Sequence, residues 1–287
     1  MKAIYKKEVK SYLTSMIGYV FIFFILLLEG IYFTAYNLQN AYPLFGTTLS
    51  AVTFIFLILV PVLTMKTIAE ERKQKTDQLL LTAPVSVSEI VLGKFLAVAT
   101  VYAIPVLIIC LYPMIMGKYG TVSYAMAYTA VLGFALLGFA QIAVGVFWSS
   151  VTENPVIAAV VTFIVLFICY MITGIGSLIP DSSMASLACY MLLVLLAAVW
   201  IYHMIRNLWI AAVIGIAGEA ALAITYVVKS TLFEGSIQKF LSVFDITSHF
   251  DNFTNGILDL QGVVYFLSVI IIFLVLTVQT ITKRRWN

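Results

Sequence analysis

Two carboxylates are the residues most able to do chemistry within the apolar parts of this chain. Glu219 lies near the middle of one apolar run, and Glu29 lies toward the end of another. An ionisable group inside such a segment is costly to bury and commonly marks an ion or substrate pathway. Glu219 either lines a pathway, pairs with His203 or Arg206, or is a protonated or hydrogen-bonded carboxyl at a helix contact. For Glu29 we favour a position that reaches the membrane interface.

The chain lacks the spacing required by the common nucleotide and metal chemistries. A Walker A loop reads G-x-x-x-x-G-K-[ST], and its backbone amides surround the phosphates. Gly93-Lys94 is the nearest match, but Ser88 stands at the first glycine position and Phe95 at the hydroxyl position. The two histidines are too few for a multi-histidine metal site. We therefore predict no catalytic residue, no metal site and no cofactor bound by this chain.

The composition indicates that the apolar runs that contain these carboxylates are membrane-spanning helices. The chain has 287 residues, of which 63% are hydrophobic and 10% are charged, against about 25% charged in a soluble domain. A soluble fold of this size buries only about 75% of its unfolded surface, so it could not hide so many apolar side chains. The apolar runs are continuous, whereas a β-barrel needs alternation. The sequence predicts an all-α, polytopic transmembrane helix bundle.

Eight runs are long enough to cross a membrane, which takes about 20 mostly apolar residues. They cover 17–36, 47–66, 95–116, 125–148, 155–179, 185–204, 208–228 and 263–282. Only residues 205–207 separate the sixth run from the seventh, which predicts a tight hairpin. The sequence leaves open whether 185–228 is two full spans.

The positions of Lys and Arg predict the orientation of the bundle. Eight spans leave both termini on one side. With the termini in the cytoplasm, Lys118, Lys229 and Lys239 lie outside and the other 13 of the 16 basic residues lie inside. Cytoplasmic loops are enriched in Lys and Arg, so we predict cytoplasmic termini. Residues 67–94 then form a cytoplasmic loop, and residues 229–262 form an outer segment.

The first sixteen residues predict an amphipathic helix at the cytoplasmic interface. Its apolar face consists of Ile4, Tyr5, Val9, Tyr12, Leu13 and Met16, and Lys2, Lys6, Lys7 and Lys10 fall elsewhere. A basic amphipathic helix of this kind lies in the headgroup region of a membrane. The alternative is that the four lysines only enforce the orientation.

Prolines and small residues predict irregular or closely packed helices. Pro61, Pro105 and Pro113 fall inside spans, where proline kinks a helix and frees a carbonyl group. Gly145 and Ser149 are four residues apart, a spacing that permits close helix contact. That contact belongs either to a dimer or to the bundle of one chain.

The first half of the cytoplasmic loop predicts a charged helix that continues the second span. Glu70 precedes Lys73 by three residues, and Glu71 precedes Lys75 by four. Side chains at these spacings meet on one helix face, so we expect two ion pairs.

The second half of the loop predicts a short exposed helix followed by a turn. Thr76 or Asp77 can cap this helix, and Pro84 ends it. Three adjacent leucines at 79–81 would suit either the groove of a partner protein or the lipid interface. Ser86, followed three residues later by a glutamate, is a capping box that starts the third span.

Segments of this loop carry a resemblance to a known family. The sequences AEERK at 69–73, TDQLLLTAPVS at 76–86 and EIVLGKFLA at 89–97 resemble the signature loop of ABC-2-type transporter permeases. The stretch 249–268 and the terminal Arg-Arg-Trp at 284–286 resemble the branch of gliding-motility-associated ABC permeases. One departure is Lys75, because the family usually has glycine before the loop threonine.

The resemblance implies the permease subunit of an ABC exporter, with a six-span core and an extra hairpin. Such a permease lies in the bacterial cytoplasmic membrane and pairs with a second permease, as a homo- or heterodimer. Two copies of a separate ATPase subunit hold the ATP and Mg. Residues 1–16 would be an elbow helix, and 17–287 a single transmembrane permease domain. The loop would dock on the ATPase through Glu70, Glu71, Arg72, Thr76, Leu79, Leu80 and Pro84.

The outer segment 229–262 contains an amphipathic pattern. Ile237, Phe240, Leu241 and Phe244 recur at helical spacing, which predicts a helix on or in the outer leaflet. In the resembling exporters, a re-entrant hairpin before the last span helps to close an outer gate. The implied gate residues are Phe240, Phe244, His249, Phe250 and Phe253.

Two other function classes compete with the exporter. An ion-coupled secondary transporter would use Glu219 and Glu29 as coupling sites. A non-transporting membrane sensor or immunity component would use the same scaffold. No residue in the sequence selects a substrate.

Overall fold

The computed structural model describes residues 1–78 and 85–285. All regular structure in these two ranges is helical, so the all-α prediction is confirmed. The chain divides into two compact units. Unit 1 comprises residues 1–168 and 246–287, and unit 2 comprises residues 169–245. Leu79, Leu80 and Pro84 lie outside the described residues.

Unit 1 contains most of the membrane-spanning helices. Its helices are α1 (Lys2–Thr14), α2 (Met16–Tyr32), α3 (Phe45–Thr53), α4 (Phe56–Thr64), α5 (Ala69–Lys73), α6 (Val87–Ile109), α7 (Tyr112–Met116), α8 (Tyr124–Val151), most of α9 (Pro155–Ser177), α13 (Asp251–Thr254) and α14 (Leu260–Arg285). A π-helical stretch, Phe33–Gln39, extends α2, and a 3₁₀ turn, Ser248–Phe250, precedes α13.

Unit 2 contains the hairpin predicted from the sixth and seventh apolar runs. Its helices are α10 (Ser183–Ile205), α11 (Leu208–Val228) and α12 (Ser236–Ser242), with a 3₁₀ turn at Ser230–Phe233. At the hairpin, Arg206 has a positive φ of 53° and ends α10 in the left-handed conformation. Cβ atoms at Gly215 and Gly218 would lie 3.2 Å from Ala198 and 2.8 Å from Val194, so α10 and α11 run antiparallel at close range.

Six helices in the described ranges are long and apolar enough to cross a membrane, and the number rises to eight if each of two bent pairs is one span. The polytopic prediction is therefore confirmed. One bent pair is α3 with α4, which meet at 60° and replace the single second span expected from sequence; the break at residues 54–55 precedes Pro61, where a kink was predicted. The third span is interrupted as well, because α6 ends before α7, which has Pro113 in its first turn.

The chain turns sharply between α1 and α2. Ser15 is extended, with φ −94° and ψ 150°, and its side chain accepts a hydrogen bond from the Gly18 amide at 3.4 Å. The turn requires glycine at 18, because a Cβ there would lie 2.2 Å from the Tyr12 carbonyl oxygen. The N-terminal helix is thus separate from the first span and is held at a fixed angle to it.

Helix α8 forms the centre of unit 1. A Cβ at Gly138 would lie 2.2 Å from the Tyr102 ring of α6, and one at Gly145 would lie 2.2 Å from the Thr64 hydroxyl at the end of α4. Tyr102, Phe56 and Phe134 form an aromatic cluster, in which the Phe56 and Phe134 ring centroids are 4.8 Å apart. Small residues on α8 let its neighbours approach closely, which fixes where the loop after α4 begins.

Candidate functional site

The cytoplasmic loop begins with a turn anchored to α8. Helix α4 ends at Thr64, so the predicted continuous helix is interrupted before α5 starts at Ala69. The Ser149 hydroxyl of α8 accepts hydrogen bonds from the Ile68 and Ala69 amides, both at 3.1 Å, and donates one to the Met65 carbonyl at 3.1 Å. One side chain satisfies three backbone groups that the break would leave unpaired. The Gly145 and Ser149 pair therefore makes contacts within a single chain.

A buried lysine lies at the centre of the loop's interactions. The Lys94 ammonium of α6 is 2.9 Å from the Glu71 carboxylate of α5 and 3.1 Å from the Glu8 carboxylate of α1. It also donates to the Thr67 carbonyl at 2.7 Å. An ammonium has three donors; two of them bond Glu8 and Thr67, and Glu71 adds a close ion pair. Only 2% of the Lys94 side chain is exposed, so these partners replace its water.

The charges around Lys94 balance locally. Glu8 and Glu71 contribute two negative charges, and Lys94 and the exposed Lys7 contribute two positive charges. Removing one member of a buried ion pair typically costs about 3–5 kcal/mol, because the other charge is left uncompensated. We refer to Lys94, Glu8, Glu71 and Lys7 as the lysine network. It ties α1, α5 and α6 together.

Tyr12 connects α1 to the turn that precedes α5. Its hydroxyl donates to the Leu63 carbonyl at 3.2 Å and lies 3.1 Å from the Thr67 hydroxyl. Burial raises the pKa of Tyr12 well above its usual value, outweighing the opposing hydrogen bond from Thr67. The phenol therefore stays protonated and remains a hydrogen-bond donor.

A second set of ion pairs ties α5 to α14. The Arg72 guanidinium donates to the Ser150 carbonyl and lies 3.3 Å from the Glu153 carboxylate, in the loop between α8 and α9. Arg284, near the end of α14, lies 2.9 Å from Glu153 and 4.0 Å from Asp77. Burial and the nearby Arg284 lower the pKa of Arg72. We refer to Arg72, Glu153, Arg284 and Asp77 as the arginine network.

The end of α5 explains the departure at position 75. The Lys75 amide donates to the Arg72 carbonyl at 3.1 Å, and the Thr76 amide donates to the Glu71 carbonyl at 2.9 Å. These two bonds form a Schellman motif, whose residue after the cap is left-handed and usually glycine. Lys75 occupies that position with a φ of 57°. The turn that glycine normally makes is retained, at a backbone cost of about 1–2 kcal/mol.

The structure separates the predicted coupling residues into two groups. Glu71 and Arg72 face inward and belong to the two ion-pair networks. Thr76 is exposed, and Glu70 is half-buried and accepts a hydrogen bond from Gln74 at 2.7 Å. An exposed surface thus runs over residues 73–76, next to the undescribed segment 79–84.

The local ion pairs expected in the loop were predicted wrongly. Glu71 pairs with Lys94 and Lys7 rather than with Lys75, and Glu70 bonds Gln74 rather than Lys73. The Schellman turn places Lys75 beyond the end of α5. Residues four apart share a face only within a helix, so Lys75 does not lie on the same face as Glu71. Sequence analysis did not identify five residues of the site: Glu8, Lys94, Ser149, Glu153 and Arg284.

Two of these five residues are charges whose positions in the sequence are unusual. Glu8 is the only acidic residue in the first 28 positions and sits among lysines, and Lys94 is the one basic residue of the largely apolar α6. Both patterns indicate a charge with a specific partner. Ser86 gave a clear signal, and the structure confirms it as the N-cap of α6, accepting a bond from the Glu89 amide at 3.3 Å.

The two intramembrane carboxylates differ from the charged loop residues in their hydrogen bonding. Glu29 of α2 is fully buried, although we favoured a position that reaches the interface. Within the described residues, neither its oxygens nor those of Glu219 in α11 have a hydrogen-bond partner. The possible partners His203 and Arg206 therefore make no hydrogen bond to Glu219.

The predicted gate residues fall in both units. In unit 1, Phe250 and Phe253 are fully buried, against Gly133 of α8, and His249 stacks on Tyr265 with ring centroids 3.7 Å apart. The other two predicted gate residues belong to unit 2. There Phe240 and Phe244 are exposed, with their ring centroids 5.4 Å apart.

The helices define a multi-pass membrane protein. The loop after its second membrane segment is held by ion pairs and hydrogen bonds to other helices. A protein-family model, described as ABC-2 family transporter protein, matches residues 30–279 of this chain. The chain belongs to the ABC-2 family of transporter proteins. A comparison with curated proteins returned no match.

Proposed function

We propose that this chain is the permease subunit of an ABC exporter and that its loop 67–94 receives the motion of a separate ATPase subunit. Membership of the ABC-2 family and the multi-pass helical architecture support a permease. The N-terminal and C-terminal helix ends lie in the bacterial cytoplasm in this proposal. The Gly93-Lys94 sequence does not form a Walker A loop, so ATP and Mg bind the partner.

The observation that carries the proposal is the double anchoring of α5. This helix has only five residues, from Ala69 to Lys73. Glu71 connects it to α1 and α6 through Lys94, and Arg72 connects it to the α8–α9 loop and to α14. A displacement of α5 therefore reaches four other parts of unit 1 through charged contacts. A loop that only joined two spans would not need such anchoring.

The mechanism follows from this mechanical connection. ATP-driven closure of the ATPase pair pushes the loop. Because the lysine and arginine networks are buried or multiply bonded, α5 moves together with its attached helices. Movement of these helices in two paired permeases opens the path between them. The exposed surface 73–76 and the leucines at 79–81 contact the ATPase, whereas Glu71 and Arg72 hold the loop in position.

Co-purification with an ABC ATPase tests the docking step. We expect a tagged permease to retain its ATPase subunit and the Leu79→Asp, Leu80→Asp double variant to lose it, because two charges disrupt an apolar contact. The matched control is Leu232→Asp with Leu258→Asp, at exposed leucines of the predicted outer segment. The control should retain the ATPase. Retention by the loop variant would contradict docking at this loop.

Transport energetics separates the exporter from the ion-coupled alternative. Neither intramembrane carboxylate has a hydrogen-bond partner in the part of the chain that the structure describes, which is the observation that an ion-coupled transporter would use. In proteoliposomes, the exporter requires ATP and continues when a protonophore dissipates the proton gradient. Transport that stops with the protonophore and ignores ATP would favour ion coupling. A chain that binds its partners without moving any substrate would favour the sensor or immunity role.

A further inference from the structure

A groove lies between α10 and α11, entirely within unit 2. Its volume is about 610 Å³, and its walls are almost wholly apolar. Met191, Leu195 and Val199 form the α10 side, and Gly215 and Ala223 contribute to the α11 side. Grooves of about 300–1,000 Å³ are the size that holds small organic ligands.

One acidic residue forms part of the lining of this groove, with its carboxylate oxygens enclosed. Glu219 lines it, and both of its oxygens are buried without a hydrogen-bond partner among the described residues. Glu219 follows Leu208, the first residue of α11, by eleven positions, which places it about 16 Å along the helix. It is therefore far from either end of a membrane-spanning helix, where water could solvate it. A cation in the groove would offset the cost of burying a carboxylate at that depth.

The apolar walls and the acidic residue of the groove favour one kind of occupant over others. A lipid chain would cover the apolar walls and leave the carboxylate without a partner. A second copy of α11 would bring one Glu219 toward another, and like charges repel at low dielectric. A hydrophobic cation satisfies both features, since its apolar groups contact the walls and its charge pairs with the carboxylate.

We propose that this groove binds a hydrophobic organic cation and that Glu219 is its charge partner. Binding needs neither ATP nor a second subunit. The role of the cation as transported substrate rests on the proposed exporter function. The chemical class is an organic ammonium or phosphonium centre surrounded by alkyl or aryl groups.

Equilibrium binding of radiolabelled tetraphenylphosphonium to the purified full chain in nanodiscs tests this proposal. Tetraphenylborate has nearly the same shape and opposite charge, so it serves as the matched probe. After uptake by empty nanodiscs is subtracted for each ion, we expect saturable binding of the phosphonium and none of the borate. Glu219→Gln should weaken phosphonium binding at least tenfold. Glu29→Gln, at the other intramembrane carboxylate, should leave the affinity unchanged.

A second variant removes space instead of charge. Ala220 and Ala223 line the groove and are exposed, so replacing both with leucine fills it without a clash in the hairpin. We expect this variant to retain its helix content and to lose phosphonium binding. It keeps the test valid if Glu219→Gln proves poorly folded.

Several results would overturn the proposal. Phosphonium binding that does not exceed that of empty nanodiscs, equal affinity in wild type and Glu219→Gln, or equal binding of the borate would each do so. Dimerisation that depends on Glu219, without phosphonium binding, would assign the groove to a second copy. These results are independent of ATPase docking, so failure here is distinguishable from failure of the loop proposal.

Discussion

The lysine network and the α10–α11 groove both enclose carboxylates, but they differ in whether another helix supplies a charge partner. Around Lys94, each buried charge meets an opposite charge from another helix. In the groove, the Glu219 oxygens have no hydrogen-bond partner within the described residues, and Glu29 is in the same state. A charge satisfied within the chain holds helices together. Glu219 lines an open groove and is therefore available to a ligand, whereas Glu29 is fully buried.

The largest expected effect comes from breaking the lysine network. Lys94→Met leaves Glu8 without its cation and Glu71 with only the exposed Lys7, so we expect the free energy of unfolding to fall by about 3–5 kcal/mol. Denaturation of the purified chain in detergent measures this change. The triple variant with Glu8→Gln and Glu71→Gln removes the uncompensated charges and should recover most of the loss. Full stability of the single variant would show that the network does not hold these helices.

The opposite effect is expected at an unpaired carboxylate. Glu29→Leu replaces a fully buried polar group, which bonds nothing in residues 1–78 and 85–285, by an apolar one, so stability should rise by about 1–3 kcal/mol. The same detergent denaturation measures it. Glu8→Leu is the matched control, and it should lower stability because it leaves Lys94 with one carboxylate fewer. If Glu29→Leu also destabilised the chain, the two classes of carboxylate would not differ.

A smaller effect is expected at the end of α5. Lys75→Gly relieves the left-handed backbone, so we expect stability to rise by about 1 kcal/mol. Lys75→Val should lower it, because a β-branched residue tolerates a positive φ poorly. Hydrogen exchange of the Thr76 amide reports on the same turn, and its protection should increase in the glycine variant. Equal protection in the three proteins would argue against the Schellman turn.

The smallest effect is expected at the exposed member of the arginine network. Glu153 is 65% exposed, and exposed ion pairs contribute about 0–1 kcal/mol. Glu153→Gln should therefore change stability by less than about 1 kcal/mol, and added salt should shrink the difference. A loss as large as that of Lys94→Met would place Glu153 with the buried network instead.

The sequence predicted the parts of this fold that depend on local pattern. Apolar runs located the spans, Ser86 located the start of α6, and the short gap at 205–207 located the hairpin. A kink was predicted at Pro61, but the bend falls at residues 54–55 between α3 and α4, inside one continuous apolar run. Hydropathy measures apolar length and carries little information on where a helix breaks.

The candidate site was predicted only in part, because its contacts are distant in sequence. The loop was identified from its own residues, and Glu71 and Arg72 were assigned to the ATPase contact. Their partners Lys94 and Glu153 lie on other elements, and helix spacing cannot identify such pairs. The glycine position of the family motif did contain structural information, since Lys75 adopts the conformation that glycine would.

The central claim is that the loop after α4 contacts the ATPase, and site-specific photo-cross-linking tests it most directly. A benzophenone amino acid replaces exposed Thr76 in the loop or, as the control, exposed Thr121 between α7 and α8. We expect a covalent adduct with the ATPase from position 76 and none from position 121. An assembled complex without an adduct at 76, or with one at 121, would contradict it.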